Sequence, residues 1–308
     1  MLVTIHALLP VILVIAAGYL VARIGLITGD QWHGIERLTY FVLFPAILFK
    51  TTALVDFSSL PTLPMGGTLF ASVFIMAAIM LALRPVFLSV WGITGPRFTS
   101  IFQGVLRWNG FIALAVAAEV IGSDGVALVA VAMVFMIPIL NAMCVLVLSR
   151  YTGGEAPTTA KILRDLYTNP FIVSILAGLG MNLSSLPIPS ILQSTLTILG
   201  SAALPVGIVC VGAGLDLAAL RRPGPALTSG TLIRLIGMPL VVAGFAWVFG
   251  VTGPALAAII IVASVPSAGS SYVLARQMGG DAKLMAEILT LQTVAGIVTI
   301  PLMLYLLV

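Results

Sequence analysis

The chain has 308 residues, of which 60% are hydrophobic and only 8% charged. Its mean hydropathy is +1.21, which excludes a soluble globular domain, where about a quarter of residues carry charge. The net charge of +4 does not point to a nucleic-acid partner, because the basic residues are few and stand at the ends of apolar runs.

The apolar runs are continuous rather than alternating, which predicts an all-α polytopic membrane protein and not a barrel. Cutting at polar and Gly/Pro clusters predicts ten transmembrane helices, over residues 5–25, 35–55, 64–83, 98–121, 125–148, 162–181, 190–215, 226–249, 254–277 and 283–307. The first lies in MLVTIHALLPVILVIAAGYLVARIG, which has no early Lys or Arg and no small-residue cleavage site. It reads as a span and not as a removed signal peptide. The hydrophilic stretch SRYTGGEAPTTAKILRD divides the ten into two halves of five: residues 1–150, a cytoplasmic linker over 151–165, and residues 166–308.

Arg23 and Arg37, Arg84 and Arg97, Arg150 with Lys161 and Arg164, Arg221 and Arg222, and Arg276 with Lys283 flank the odd-numbered connections. The positive-inside rule makes those connections cytoplasmic and puts both termini of a multi-pass protein outside.

Two halves with an odd number of spans must insert in opposite senses if they are repeats. Pro10 and Gly18 recur 160 positions later as Pro170 and Gly178, and Pro45 and Asp56 recur as Pro205 and Asp216. In the fourth and ninth spans Gly122 and Asp124 correspond to Gly279 and Asp281 at an offset of 157. The sequence thus predicts two inverted five-helix repeats. Pro45 and Pro205 are expected hinges or helix breaks, since each removes a backbone hydrogen bond.

Lys50 has no counterpart, because Cys210 stands at the equivalent position. A cation inside the membrane costs about 2.5–3.5 kcal/mol on insertion scales and is a functional candidate by default. Lys50 reads either as an anion-binding or coupling residue, or as a side chain snorkelling to the outer interface near Asp56.

The fourth span contains LRWNGFIALAVAAEVIG, where Arg107, Asn109 and Gly110 interrupt the apolar helix; the ninth contains ASVPSAGSSYVLARQMGG, with Pro266, Ser267, Gly269, Ser270 and Ser271 close together. At the offset of 157, Asn109 meets Pro266. Two discontinuous helices crossing at mid-membrane would present the positive N-terminal ends of half-helices to an anion. The alternative is that small residues here only permit close helix packing. Asn141 and Gln292 are uncharged polar residues at membrane depth, open either to interhelical hydrogen bonding or to substrate contact. Glu119 and Arg276 are equivalent but fall toward opposite faces, and read as interface anchors. Arg234 and Glu287 are intramembrane ions without assignable partners. His6 and His33 make no ligand spacing, so no metal site is expected. Neither Cys144 nor Cys210 demands a disulfide.

The stretches FVLFPAILFKTTA, RWNGFIALAVAAEVIG and ASVPSAGSSYVLARQMGGDAKLMAEILTLQTVAGIVTIPLMLYLL resemble the auxin efflux carrier family, which includes plant PIN carriers and many bacterial permeases. The resemblance spans nearly the whole chain and is most specific at the C-terminus. It implies a fold like that of bile-acid symporters and sodium/proton antiporters, with a scaffold domain and a transport domain holding two crossed broken helices. The family's crossover positions fall on Asn109 with Gly110 and on Pro266 with Ser267, and its polar residue on the fifth helix on Asn141. The short central linker matches the family's bacterial form, so the resemblance implies a multi-pass protein of the bacterial inner (plasma) membrane. Bacterial relatives are associated with small carboxylates such as malonate or malate, and plant ones with the indole carboxylate auxin.

The expectation is therefore a secondary transporter of a small organic anion, working by alternating access, with substrate contacts from Asn109, Gly110, Pro266, Ser267, Ser270, Lys50, Asn141 and Gln292. No cofactor is expected beyond a coupling Na+ or H+, left open between the two and uniport. Partners are the anion, membrane lipids and a second copy of the chain in a homodimer. The chain has no G-x-x-x-x-G-K-[ST] motif for nucleotide-driven transport. The competing classes are an intramembrane lipid-modifying enzyme, against which the dispersed acids argue, and an anion channel, which would not call for paired helix breaks.

Overall fold

The computed structural model describes residues 2–56, 61–153, 158, 160, 164, 167–184, 187–221 and 223–308, with the side chains of 2–7, 219 and 221 also outside the description. Most of the linker expected over 151–165 lies outside the described residues. In chain order the helices are α1 (Leu2–Arg23), α2 (Gly29–Leu54), α3 (Thr62–Trp91), α4 (Gly95–Leu106), α5 (Gly110–Val120), α6 (Ser123–Thr152), α7 (Pro170–Ser184), α8 (Ser190–Ala213), α9 (Pro225–Phe249), α10 (Gly253–Ser264), α11 (Ser270–Gln277) and α12 (Ala282–Leu307).

Among the described residues seven runs are long and apolar enough to cross a membrane: α2, α3, α4 with α5, α6, α8, α9 and α12. Three shorter apolar helices, Leu8–Arg23, Pro170–Ser184 and Gly253–Ser264, fall on the remaining expected spans. The third span is longer than its sequence suggests. Arg84 and Pro85 read as its end, but the helix runs on to Trp91 and stops at Gly92, whose φ of 61° is left-handed. Arg84 is tolerated there because its guanidinium lies 4.5 Å from the ring centroid of Tyr151.

The prolines act unequally. Pro45 has no N–H to continue the helix, and α2 opens one turn earlier into a π-turn, Thr39–Leu43, closed by Phe44 N–H donating to the Thr39 carbonyl. The same device recurs in α9, where the π-turn Ile233–Gly237 precedes Pro239. Pro205, the expected partner of Pro45, interrupts nothing, and α8 is α-helical throughout. Gly200 and Gly207 seat α8 directly against Ile47 and Phe44 of α2, and this packing holds it in register across the missing bond.

Two helix groups result. In the first, α1 packs on α8, and α2 packs on α7 and α8. In the second, α3 to α6 pack with α9 to α12, and α4 and α10 are buried along most of their length. The first group is joined backbone to backbone. A side chain at Gly18 would strike the Val209 carbonyl, and one at Gly178 would strike the Phe49 carbonyl. These are one contact seen twice, since 18 to 178 and 49 to 209 are both steps of 160. Likewise Gly212 sits on the Ile15 carbonyl, and Thr52 Oγ1 donates to the Ile175 carbonyl at 3.4 Å.

Odd-numbered connections meet at one end of the molecule. Arg23 pairs with Asp216 at 3.5 Å, Arg97 with Asp281 at 3.7 Å, and Asp281 N–H donates to the Pro96 carbonyl at 3.1 Å. At the other end Asn182 Nδ2 donates to the Ala53 and Val55 carbonyls.

Candidate functional site: two interrupted helices meeting at their breaks

The chain leaves helical geometry between α4 and α5 at Arg107, whose ψ is 154°, and between α10 and α11 at Val265, whose ψ is also 154°. Val265 is held extended by the following Pro266. Asn109 ends the first break by capping α5: its Oδ1 accepts from Phe111 N–H at 3.0 Å and from Ile112 N–H at 3.1 Å. The breaks touch directly, Asn109 N–H donating to the Pro266 carbonyl at 2.8 Å. The two positions that the sequence offset equates are thus hydrogen-bonded to each other. At Gly110 a Cβ would meet Met133 Cε of α6 at 2.7 Å, a contact that the methionine's terminal methyl can swing away from.

Ser267 is fully buried. Its N–H donates to Gln292 Oε1 at 2.8 Å, and its hydroxyl lies 3.3 Å from both the Gln103 carbonyl and Ser271 Oγ. Gln292 also donates through Nε2 to the Gly104 carbonyl at 3.0 Å and the Gly230 carbonyl at 3.3 Å. Its amide therefore ties α12 to both broken helices and to α9. Gln292→Ala would leave the buried Ser267 N–H without its acceptor, at roughly 1–3 kcal/mol, and would remove the bonds to the Gly104 and Gly230 carbonyls. We expect a thermal unfolding midpoint well below that of the wild-type protein; an unchanged midpoint would contradict this account of the amide.

Ser270 opens α11 and is exposed, and no side chain caps that helix. Arg107 reaches it from the other break, with Nη2 2.9 Å from Ser270 Oγ. Arg107 as a residue is 9% exposed; its guanidinium lies beside the Cys144 thiol and has no ion-pair partner among the described residues. Asn141, half-buried, is on the same face of α6 as Cys144, one turn before it. Phe111, at the start of α5, stacks on Phe44 with centroids 4.4 Å apart, and Tyr40 and Phe171 complete an aromatic cluster between the two helix groups.

Of the expected site residues, Asn109, Gly110, Pro266, Ser267, Ser270 and Gln292 gather at the breaks. Asn141 lies on the neighbouring helix. Lys50 is half-buried one turn from the end of α2, and neither a hydrogen bond nor an ion pair joins it to the breaks. Sequence reasoning noticed Arg107 only as an interruption. An arginine beside Asn-Gly in mid-span carried the same signal that singled out Lys50. Arg234 finds three carbonyl partners at the breaks, and Gln103 is a buried amide whose side chain has no partner among the described residues; neither role has a local sequence signature.

Residues 156–304 match the family model described as membrane transport protein. The chain is 25% identical over 307 residues, 96% of both chains, to an uncharacterized transporter of Methanothermobacter thermautotrophicus. It is 33% identical over 120 residues to auxin efflux carrier component 6 of Arabidopsis thaliana, covering 37% of this chain and 21% of that one.

Proposed function

We propose that this relative of the auxin efflux carriers, a membrane transporter, is a secondary transporter that carries a small organic anion by alternating access around the meeting point of its broken helices. The observation that carries the proposal is the buried Arg107, its guanidinium bonded to Ser270 at the uncapped start of α11 and without a carboxylate among the described residues. A helix N-terminus carries about half a positive charge, and together with a guanidinium it makes a strong site for a carboxylate. Ser270 is the exposed donor, Arg107 the charge, and Asn109 and Pro266 the joint that sets their spacing.

The architecture we propose is ten spans in two inverted repeats. The exchange of Gly18–Val209 for Gly178–Phe49 contacts supports it, as does the bond between the equivalent residues Asn109 and Pro266. The odd-numbered connections, which carry the basic residues, are proposed to face the cytoplasm.

The test is uptake of labelled malonate, malate, succinate and indole-3-acetate into proteoliposomes, with and without a sodium gradient. Saturable uptake of one of them by the wild-type protein, lost in Asn109→Ala, is the expected result. Removing the cap costs α5 about 1 kcal/mol, so Asn109→Ala should fold and yet misplace the break. A folded wild-type protein that takes up none of the four would overturn the substrate class, and non-saturating flux would overturn the carrier in favour of a channel.

A further inference from the structure

Arg234 is fully buried in α9, with no ion-pair partner among the described residues. It sits inside the π-turn Ile233–Gly237, a device found disproportionately at functional sites. Its guanidinium donates to three backbone carbonyls: Nε to Val265 at 2.8 Å, Nη2 to Val262 at 2.6 Å and Nη1 to Val105 at 3.2 Å. Val262 and Val265 end α10, and Val105 ends α4. These belong to the carbonyls that a helix leaves unpaired at its C-terminus.

The placement is central. Val105 and Val262 are equivalent at the same 157-residue offset that equates Asn109 with Pro266, so one guanidinium bridges matching atoms of the two broken helices. The charge itself is not duplicated, since Ala77 of α3 stands 157 positions before Arg234. Each helix C-terminus carries about half a negative charge. Two such ends facing one another amount to about one, which a single guanidinium balances.

We propose that Arg234 does the work of a bound cation: it is a built-in counter-charge that holds the negative ends of α4 and α10 together, so that the crossover needs no metal ion there. It is a positioning residue and touches no substrate. The proposal rests on the crossover reading, but its test reads cation binding and not uptake, so the two fail separately.

The test compares thermal unfolding midpoints of the purified full-length protein in sodium chloride and in choline chloride. The wild-type protein and Arg234→Lys should unfold at the same temperature in both salts. Arg234→Ala should unfold earlier in choline and recover by several degrees in sodium, or in guanidinium chloride too dilute to denature, because the freed carbonyl oxygens form a cage for a hard or planar cation. A wild-type midpoint that rises with sodium, or a folded Arg234→Ala indifferent to all three cations, overturns the proposal. If Arg234→Ala cannot be purified, Arg234→Gln keeps donors without the charge: dependence on sodium supports the proposal, and wild-type stability in choline overturns it.

Discussion

Arg107→Gln should yield a folded protein whose KM for the transported anion is raised by about tenfold to a hundredfold. A hydrogen bond to a charged group is worth about 1.5–3 kcal/mol, and 1.4 kcal/mol is a factor of ten in affinity. The fold should tolerate the change, since among the described residues the guanidinium reaches only the Ser270 hydroxyl and the Cys144 thiol. Glutamine is two bonds shorter than arginine; it keeps a polar donor in the site but brings no charge. Uptake kinetics in proteoliposomes check this, with Lys50→Ala as the comparison: Lys50 makes no bond to either break, and its removal should change KM by less than about threefold, roughly 0.6 kcal/mol. An Arg107→Gln protein with wild-type KM, or a Lys50→Ala protein without uptake, would move the anion site away from the start of α11.

The largest expected loss of stability belongs to Gly178→Val. A Cβ at that position would meet Thr52 Oγ1 and the Phe49 carbonyl, and the second of these is main chain that cannot rotate aside. Overpacking typically costs about 1–3 kcal/mol where side chains can shift. Here α7 itself must lift away from α2, and the loss should exceed about 4 kcal/mol, enough to abolish the folded protein. Gly18→Val, facing the Val209 carbonyl, should behave alike. Gly244→Ala is the contrasting case: its Cβ meets nothing within 4 Å on exposed α9, and alanine there should be neutral or stabilising by up to about 1 kcal/mol. Size-exclusion profiles and unfolding midpoints of the purified variants measure all three.

The helical fold and both interruptions were legible because hydropathy and helix breaking are local properties. Asn109-Gly110 and Pro266 through Gly269 concentrate poor helix formers at one place in each segment. The hydrogen bond between Asn109 and Pro266 joins two positions that share the 157-residue offset, a relation that the proposed inverted repeats would explain. The roles of ionic side chains were harder to read. Arg234 looks like any stray intramembrane charge until three carbonyls from two other segments arrive around it. Gln292 stood between interhelical tie and substrate contact; its amide is spent on Ser267, Gly104 and Gly230. Pro45 and Pro205 match in sequence, but only Pro45 opens its helix, because the glycines that seat α8 on α2 decide the outcome at Pro205.

The stacked rings of Phe44 and Phe111 lie across the boundary between the two helix groups with their planes 5° apart. Parallel rings held by dispersion have no donor and acceptor to keep aligned, so one can slip past the other with little change in energy until the overlap is lost. The glycine seats of α1 on α8 and of α7 on α2 allow no such slip, because main chain there rests on main chain. The displacement that the proposed alternating access requires would run along this aromatic plane, with α5 on its far side.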